Sequence, residues 1–144
     1  MPGYSIDTLE VGTSESLAKT ITDADIVLFA GVSCDTNPVH VDDEYASGTR
    51  FGGRIAHGML SASLISAAIA NKLPGPGTIY LGQSLRFLAP VRPGDTVKAT
   101  VTVKEINSEK RRATLATVCT VEGVAVIEGE AQVLVPAASS GEKR

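Results

Sequence analysis

The chain reads as an α+β domain in which an antiparallel sheet curls around one long buried helix. Residues 59–73, MLSASLISAAIANKL, are apolar or small on every helical face. That is the pattern of a helix surrounded by other structure, not one lying on a surface. From Gly77 onward the period changes from helical to two, and four alternating stretches separated by turn residues follow one another. Strands joined by such short connections pair antiparallel, giving the segregated layers of an α+β fold. A single sheet of this kind leaves an edge and an outer face to cover, which predicts a homodimer.

At 144 residues the chain is long enough for one domain with a substantial core, and the patterned part runs from about residue 10 to 135. With 43% hydrophobic residues, 20% charged residues and a net charge of −3, it has the balance of a soluble globular protein and no basic excess for nucleic acid. Trp is absent and aromatics are sparse, so Val, Leu, Ile and Ala must build the core. Cys34 and Cys119 lack any CxxC spacing, and two histidines do not make a dedicated zinc set. No disulfide, metal or cofactor is expected. The segment MPGYSIDTLEVG has neither a basic nor an apolar leader region, and the run Met59–Ala70 is too short to cross a bilayer and contains three serines. The expectation is a cytoplasmic protein with no membrane partner.

Taken in order, residues 1–14 are a polar lead-in, and Ser16–Ile21 suits a short edge strand. Thr22, followed three residues later by Asp25, predicts a capped helix over 23–31 with Ile26, Phe29 and Ala30 on one face and Gly31 as its stop. Residues 35–40 then form a loop. Asp42-Asp43-Glu44 places acidic groups where the macrodipole favours them, at the start of a short helix ending near Ala46. Residues 47–54 are glycine-rich and irregular. His57-Gly58 opens the long helix, His57 helping to start it, and Leu-Pro-Gly-Pro-Gly closes it.

Ile79, Leu81, Leu85 and Phe87 alternate along the first of the four strands, and Pro93-Gly94 is a turn. Val97, Ala99, Val101 and Val103 define the inner face of the second. After a charged connection, 107–112, come Ala113, Leu115, Cys119 and Val121. Glu122-Gly123 fits a two-residue hairpin turn. Ala125, Ile127, Ala131, Val133 and Val135 form the inner face of the last strand, and 137–144 is a frayed tail.

The chemistry concentrates at Cys34-Asp35-Thr36-Asn37-Pro38-Val39-His40-Val41-Asp42, which holds one of the two histidines. Pro38 fixes its own φ and pushes Asn37 out of the helical region, so the chain bends between Asp35 and His40. Such a bend turns a carboxylate and an imidazole toward one small volume, which suits acid–base work on water. Ordinary turn chemistry accounts equally well for Asp35, Asn37 and Pro38, though not for His40.

The run Phe29-Ala30-Gly31-Val32-Ser33-Cys34-Asp35-Thr36-Asn37-Pro38-Val39-His40 resembles the signature of the (R)-specific enoyl-CoA hydratases, the MaoC-like proteins. The resemblance continues through His57-Gly58-Met59-Leu60, through Ile79–Phe87 and into Pro90-Val91-Arg92-Pro93-Gly94-Asp95. Two positions depart from it, Cys34 where the family often has Gly and Asp43 where it often has Pro. Both concern loop geometry, and neither removes a catalytic group. The resemblance implies a hot-dog fold that pairs in dimers, and it implies that Asp35 and His40 together activate a water. That water adds to a trans-2-enoyl-CoA thioester to give the (R)-3-hydroxyacyl-CoA, with CoA thioesters as the only partners besides a second copy. By the same resemblance the chain diverts β-oxidation intermediates toward polyhydroxyalkanoate.

The thioester carbonyl makes C3 electrophilic, and the charge that develops on its oxygen needs a donor. The backbone N–H of Gly58, at the start of the buried helix, is the candidate. By analogy Ser66, Tyr80, Leu81 and Gln83 border the substrate channel, although small-residue packing explains Ser66 and plain alternation explains the other three. Asn37 is assigned to the substrate side of the loop, with loop shaping as its simpler role. Lys110-Arg111-Arg112 suits a solvated hairpin better than a CoA phosphate site. Two competing functions are a hot-dog thioesterase with Asp35 as base, which the Asn-Pro-Val-His arrangement opposes, and a non-catalytic acyl-CoA-binding module, which would not need both Asp35 and His40.

Overall fold

The structure, a computed structural model, describes residues 3–138. Its elements in chain order are β1 (Ser14–Thr20), α1 (Asp23–Ser33), α2 (Pro38–Val41), α3 (Asp43–Ser47), α4 (Gly58–Asn71), β2 (Ile79–Gln83), β3 (Arg86–Phe87), β4 (Thr96–Asn107), β5 (Arg112–Val121) and β6 (Val124–Leu134). The six strands form one sheet in the order β1-β4-β5-β6-β2, with β3 also pairing with β6. Every pairing is antiparallel. The helix α4 lies against β1, β4 and β5, so the α+β architecture expected from the sequence is the one observed.

The core sits between α4 and the sheet. Val97, Ala99, Val101 and Val103 of β4 are buried, as are Ala113, Leu115 and Cys119 of β5 and Ile127, Ala131 and Val133 of β6. They meet Leu64, Ile65, Ala68 and Ile69 of α4 in one continuous cluster. Burying each large aliphatic side chain stabilises the fold by roughly 1.5–3 kcal/mol. Alanines at 99, 113 and 131 let helix and sheet approach, and the Cys119 thiol reaches the Ser61 carbonyl at 3.7 Å. Burial pushes the pKa of that thiol up to about 11, so Cys119 is a packing residue rather than a nucleophile. The hairpin between β5 and β6 is the expected two-residue turn, with positive φ at both Glu122 (50°) and Gly123 (81°).

Several expectations need correction. The helix α1 does not stop at Gly31; it runs to Ser33 and ends on Cys34, whose φ of 67° is left-handed. Glycine adopts that conformation freely and cysteine does not, which explains why the resembled signature favours glycine here and leaves Cys34 in a strained conformation. The capping box of Thr22 and Asp25 is present as read. His40 lies on a helical turn, α2, not in a loop, because Pro38 occupies the first helical position and Asn37 caps it.

The first predicted strand, 79–90, is two strands, and neither pairs with β4. Both lie along β6, where the chain crosses so closely at Gly129 that a Cβ there would stand 1.9 Å from the Ser84 carbonyl oxygen. A register shift between Tyr80 and Gly82 upsets the alternation, so of Ile79, Leu81, Leu85 and Phe87 only Leu85 packs on the core. Nor is α4 buried on every side in the single chain: Met59, Ser63 and Ala70 are exposed. Ala137 and Ala138 lie beyond the last strand, and the rest of the predicted tail, 139–144, falls outside the described residues.

Candidate active site

The bend after α1 is held at each step by short polar contacts. Ser33 Oγ donates to the Phe29 carbonyl (2.7 Å) and accepts from the Asp35 amide (3.1 Å). Asp35 Oδ1 accepts from the Asn37 amide (3.3 Å), and Asn37 Oδ1 accepts from the Val39 amide (3.1 Å). Those two bonds make an Asx turn and then a helix cap, and they leave Asp35 Oδ2 facing His40 Nε2 at 4.0 Å. The turn reading and the acid–base reading of this stretch are therefore compatible, since one carboxylate oxygen shapes the loop while the other faces the imidazole.

His40 Nδ1 lies 2.8 Å from the Ile55 carbonyl. A carbonyl oxygen only accepts, so Nδ1 carries the proton in the neutral ring and Nε2 presents its lone pair toward Asp35. A separation of 4.0 Å is too long for a direct hydrogen bond, but it is a span that one water molecule donating to both acceptors can bridge.

Arg54, which sequence reasoning passed over, fastens this region. Its guanidinium contacts Asp43 and Asp23 at 2.6 Å each and the His40 carbonyl at 3.3 Å. The hydrogen bonds it donates to Asp43 first and to Asp23 second hold its pKa above the ordinary arginine value. The signal for it was one cation downstream of the Asp42-Asp43-Glu44 cluster.

His57 was expected to help start α4. It occupies the N-cap position but makes no side-chain cap bond. Its ring is buried instead, stacked on His40 with centroids 3.9 Å apart and edge-on to Phe29 at 4.9 Å. His57 Nε2 lies 2.9 Å from the Asp35 carbonyl. Because His57 leaves α4 uncapped, the amides of Gly58 and Met59 have no acceptor among the described residues.

These groups meet at one cavity of about 440 Å³, whose wall includes Asp35, His40, His57, Gly58, Met59, Ser61 and Phe87. Ser66, Tyr80, Leu81 and Gln83 line a second cavity of about 540 Å³ between the open side of α4 and edge strand β2. Met59 borders both. Asn37 lines neither: its side chain is spent on the cap. The Tyr80 hydroxyl donates to Gln83 Oε1, and Gln83 Nε2 donates to Thr117 Oγ1 (3.0 Å) and the Ser84 carbonyl (2.8 Å). Burial raises the Tyr80 pKa above its usual value. The basic run 110–112 lies at the β4–β5 hairpin, at the end of β6 opposite Ile127, which lines the first cavity.

Asp35, His40 and His57 each bring a potential ligand atom within 4.8 Å of the others. The two imidazole rings, however, are stacked, with centroids 3.9 Å apart and planes inclined by only 28°. Ring lone pairs lie in those planes and do not meet at the ~2.0–2.1 Å of a zinc–nitrogen bond. The arrangement suits hydrogen bonding to a small polar molecule rather than ligation.

Residues 8–125 match the family model described as the MaoC like domain. The chain belongs to the MaoC-like family. A relative named (R)-specific enoyl-CoA hydratase from Rhodospirillum rubrum is 60% identical over 134 residues, covering 93% of each chain. A 3-hydroxybutyryl-CoA dehydratase from Methylorubrum extorquens is 50% identical over 89% of this chain and 82% of its own. The solved (R)-hydratase from A. caviae involved in PHA biosynthesis superposes with a TM-score of 0.87 at 45% identity, over 90% of this chain and 98% of that one. The hot-dog fold expected from the MaoC-like signature is thus the fold found, and no described helix is long and apolar enough to cross a membrane.

Proposed function

We infer that this MaoC-like chain is an (R)-specific enoyl-CoA hydratase, a hydro-lyase acting on trans-2-enoyl-CoA. The observation that carries the reading is the facing pair His40 Nε2 and Asp35 Oδ2 at 4.0 Å, set beside the uncapped start of α4 in one cavity. A water between them donates to both acceptors, and its oxygen adds to C3 as His40 Nε2 takes a proton. The proton removed from water is then available for C2, so the reaction is redox-neutral and asks only for acid–base groups and an oxyanion donor. The Gly58 N–H supplies that donor, reinforced by the positive end of the α4 dipole. In the reverse direction the same groups remove water from a 3-hydroxyacyl thioester. The similarity to an (R)-specific hydratase and to a 3-hydroxybutyryl-CoA dehydratase supports both the chemistry and the CoA thioester class.

The second cavity adjoins the first through Met59 and takes the flexible part of the substrate, with Ser66, Tyr80, Leu81 and Gln83 along its side. Incubation with crotonyl-CoA should remove the conjugated enoyl-thioester absorbance and yield the (R)-alcohol on chiral analysis. Release of free CoA thiol would point to a thioesterase, and acyl-CoA binding without turnover would point to a binding module.

A homodimer follows from the same surface. Edge strand β2 carries Ile79, Tyr80 and Leu81, all exposed, and Leu28, Val32 and Met59 are exposed on the neighbouring helices. An apolar, unpaired edge is a liability that a second copy removes. Leu81→Lys, on this edge, is expected to convert a dimer into a monomer or a concentration-dependent mixture by light scattering after gel filtration. A wild-type chain that elutes as a monomer, or a Leu81→Lys variant as dimeric as the parent, would exclude this edge as the interface. The whole chain, 1–144, acts as one hydratase domain in this reading.

A further inference from the structure

We propose that His57 is a positioning residue that sets the geometry of the Asp35–His40 pair from beneath, an assignment that rests on reading that pair as the acid–base group. Three contacts converge on it. Its Nε2–H donates to the Asp35 carbonyl at 2.9 Å, its ring stacks on His40 at 3.9 Å, and the edge contact with Phe29 at 4.9 Å prevents the ring from turning. Among the described residues Asp35 is otherwise hydrogen-bonded only through its amide to Ser33 Oγ and through Oδ1 to the Asn37 amide. The His57 bond is thus the one tether joining the Asp35 backbone to the start of α4, where Gly58 lies. Acid, base and oxyanion donor are fastened to each other through this one ring.

The residue is not what packing alone would select. His57 is 1% exposed, and with Nε2 protonated its Nδ1 is an acceptor with no partner among the described residues. A buried polar atom without a partner is destabilising, so an apolar ring would fill the site at lower cost. What an apolar ring lacks is the donor to Asp35. The bond also fixes the tautomer: in the neutral ring the proton lies on Nε2 and Nδ1 is the acceptor.

Two variants separate donor from ring. His57→Phe keeps a ring against His40 and removes the donor; His57→Gln places an amide N–H near the old Nε2 and removes the ring. His57→Phe should lower kcat by ~10- to 10²-fold, the scale of a misplaced reacting group, with KM for crotonyl-CoA little changed. His57→Gln should recover a substantial part of that loss. A residue that only supports folding would lower Tm and the active fraction in both variants while leaving kcat per folded enzyme near wild type, and that outcome overturns the proposal. The wild-type protein gives an independent reading. With two histidines in the chain, ¹⁵N spectra contain two imidazoles, which His40→Gln assigns; the neutral His57 ring should carry its proton on Nε2. An Nδ1–H tautomer there also overturns the proposal. Absence of hydratase activity in the wild type would instead count against the function itself.

Discussion

Asp35→Asn and His40→Gln are each expected to lower kcat/KM for crotonyl-CoA by ~10²–10⁴, the range for loss of a positioned acid–base group. The two substitutions are chosen for what they leave in place. Asparagine keeps an oxygen able to accept the Asn37 amide bond that Asp35 Oδ1 accepts at 3.3 Å, so the Asx turn survives and only carboxylate basicity is lost. Glutamine at 40 keeps polar bulk beneath Ile55 but has no second ring nitrogen to present toward Asp35 when the first is bonded to the carbonyl. The Asp35 side chain is half exposed, so its neutralisation should move Tm by little. Both groups act on one water, so the double variant should be scarcely slower than the worse single one, as for groups that act as a unit. A single variant within a few-fold of wild type, measured on folded protein, would remove that residue from the chemistry.

The juxtaposition of Asp35 and His40 was legible because its constraints are local. Asn37-Pro38 dictates the bend, and five residues of sequence suffice to place a carboxylate opposite an imidazole. The inner faces of β4 and β5, and of β6 from Ile127 onward, were legible for the same reason: a period of two at Val97, Ala99, Val101 and Val103 survives wherever strands are long and paired on both sides, whereas the register shift after Cys119 buries Val126 where alternation predicts Ala125. What escaped depended on approach between distant segments. Phe87 and Leu81 continue the alternation in sequence, yet the crossing over Gly129 and the shift after Tyr80 turn them away from the core. His57 looks like a helix-start residue in sequence. Only the fold shows that its ring lies on His40, 17 positions earlier, and its Nε2 on the Asp35 carbonyl, 22 positions earlier. Arg54 likewise joins α1 to α3 through two carboxylates that no local pattern connects.

Gly58→Ala tests the oxyanion assignment through the position of the α4 start, because alanine keeps the N–H: where the added methyl group displaces that donor, kcat should fall by up to ~10²–10³, the scale of losing one oxyanion donor. A Cβ at this position would stand 2.5 Å from Phe87 Cε1 and 2.7 Å from Cδ1, closer than carbon atoms approach, so something must move. Phe87 sits on the two-residue strand β3 and is 53% exposed. Its ring can swing outward without disturbing the core, and alanine suits the first turn of a helix better than glycine does. Tm should therefore change by less than about 4 °C. The damage falls on the cavity, because Gly58 and Phe87 both line it. If α4 shifts instead, the Gly58 N–H leaves the position where charge develops. Displacement of the donor lowers kcat at saturating substrate, whereas simple narrowing of the cavity raises KM and spares kcat. Phe87→Leu removes the ring atoms that the new methyl group meets, so the pair Gly58→Ala and Phe87→Leu should show strong coupling, with activity partly restored in the double variant. Full kcat in Gly58→Ala with a ring merely displaced would mean that the residue-58 N–H has kept its place, and Gly58→Pro, which deletes that N–H at the first helical position, then tests the donor itself.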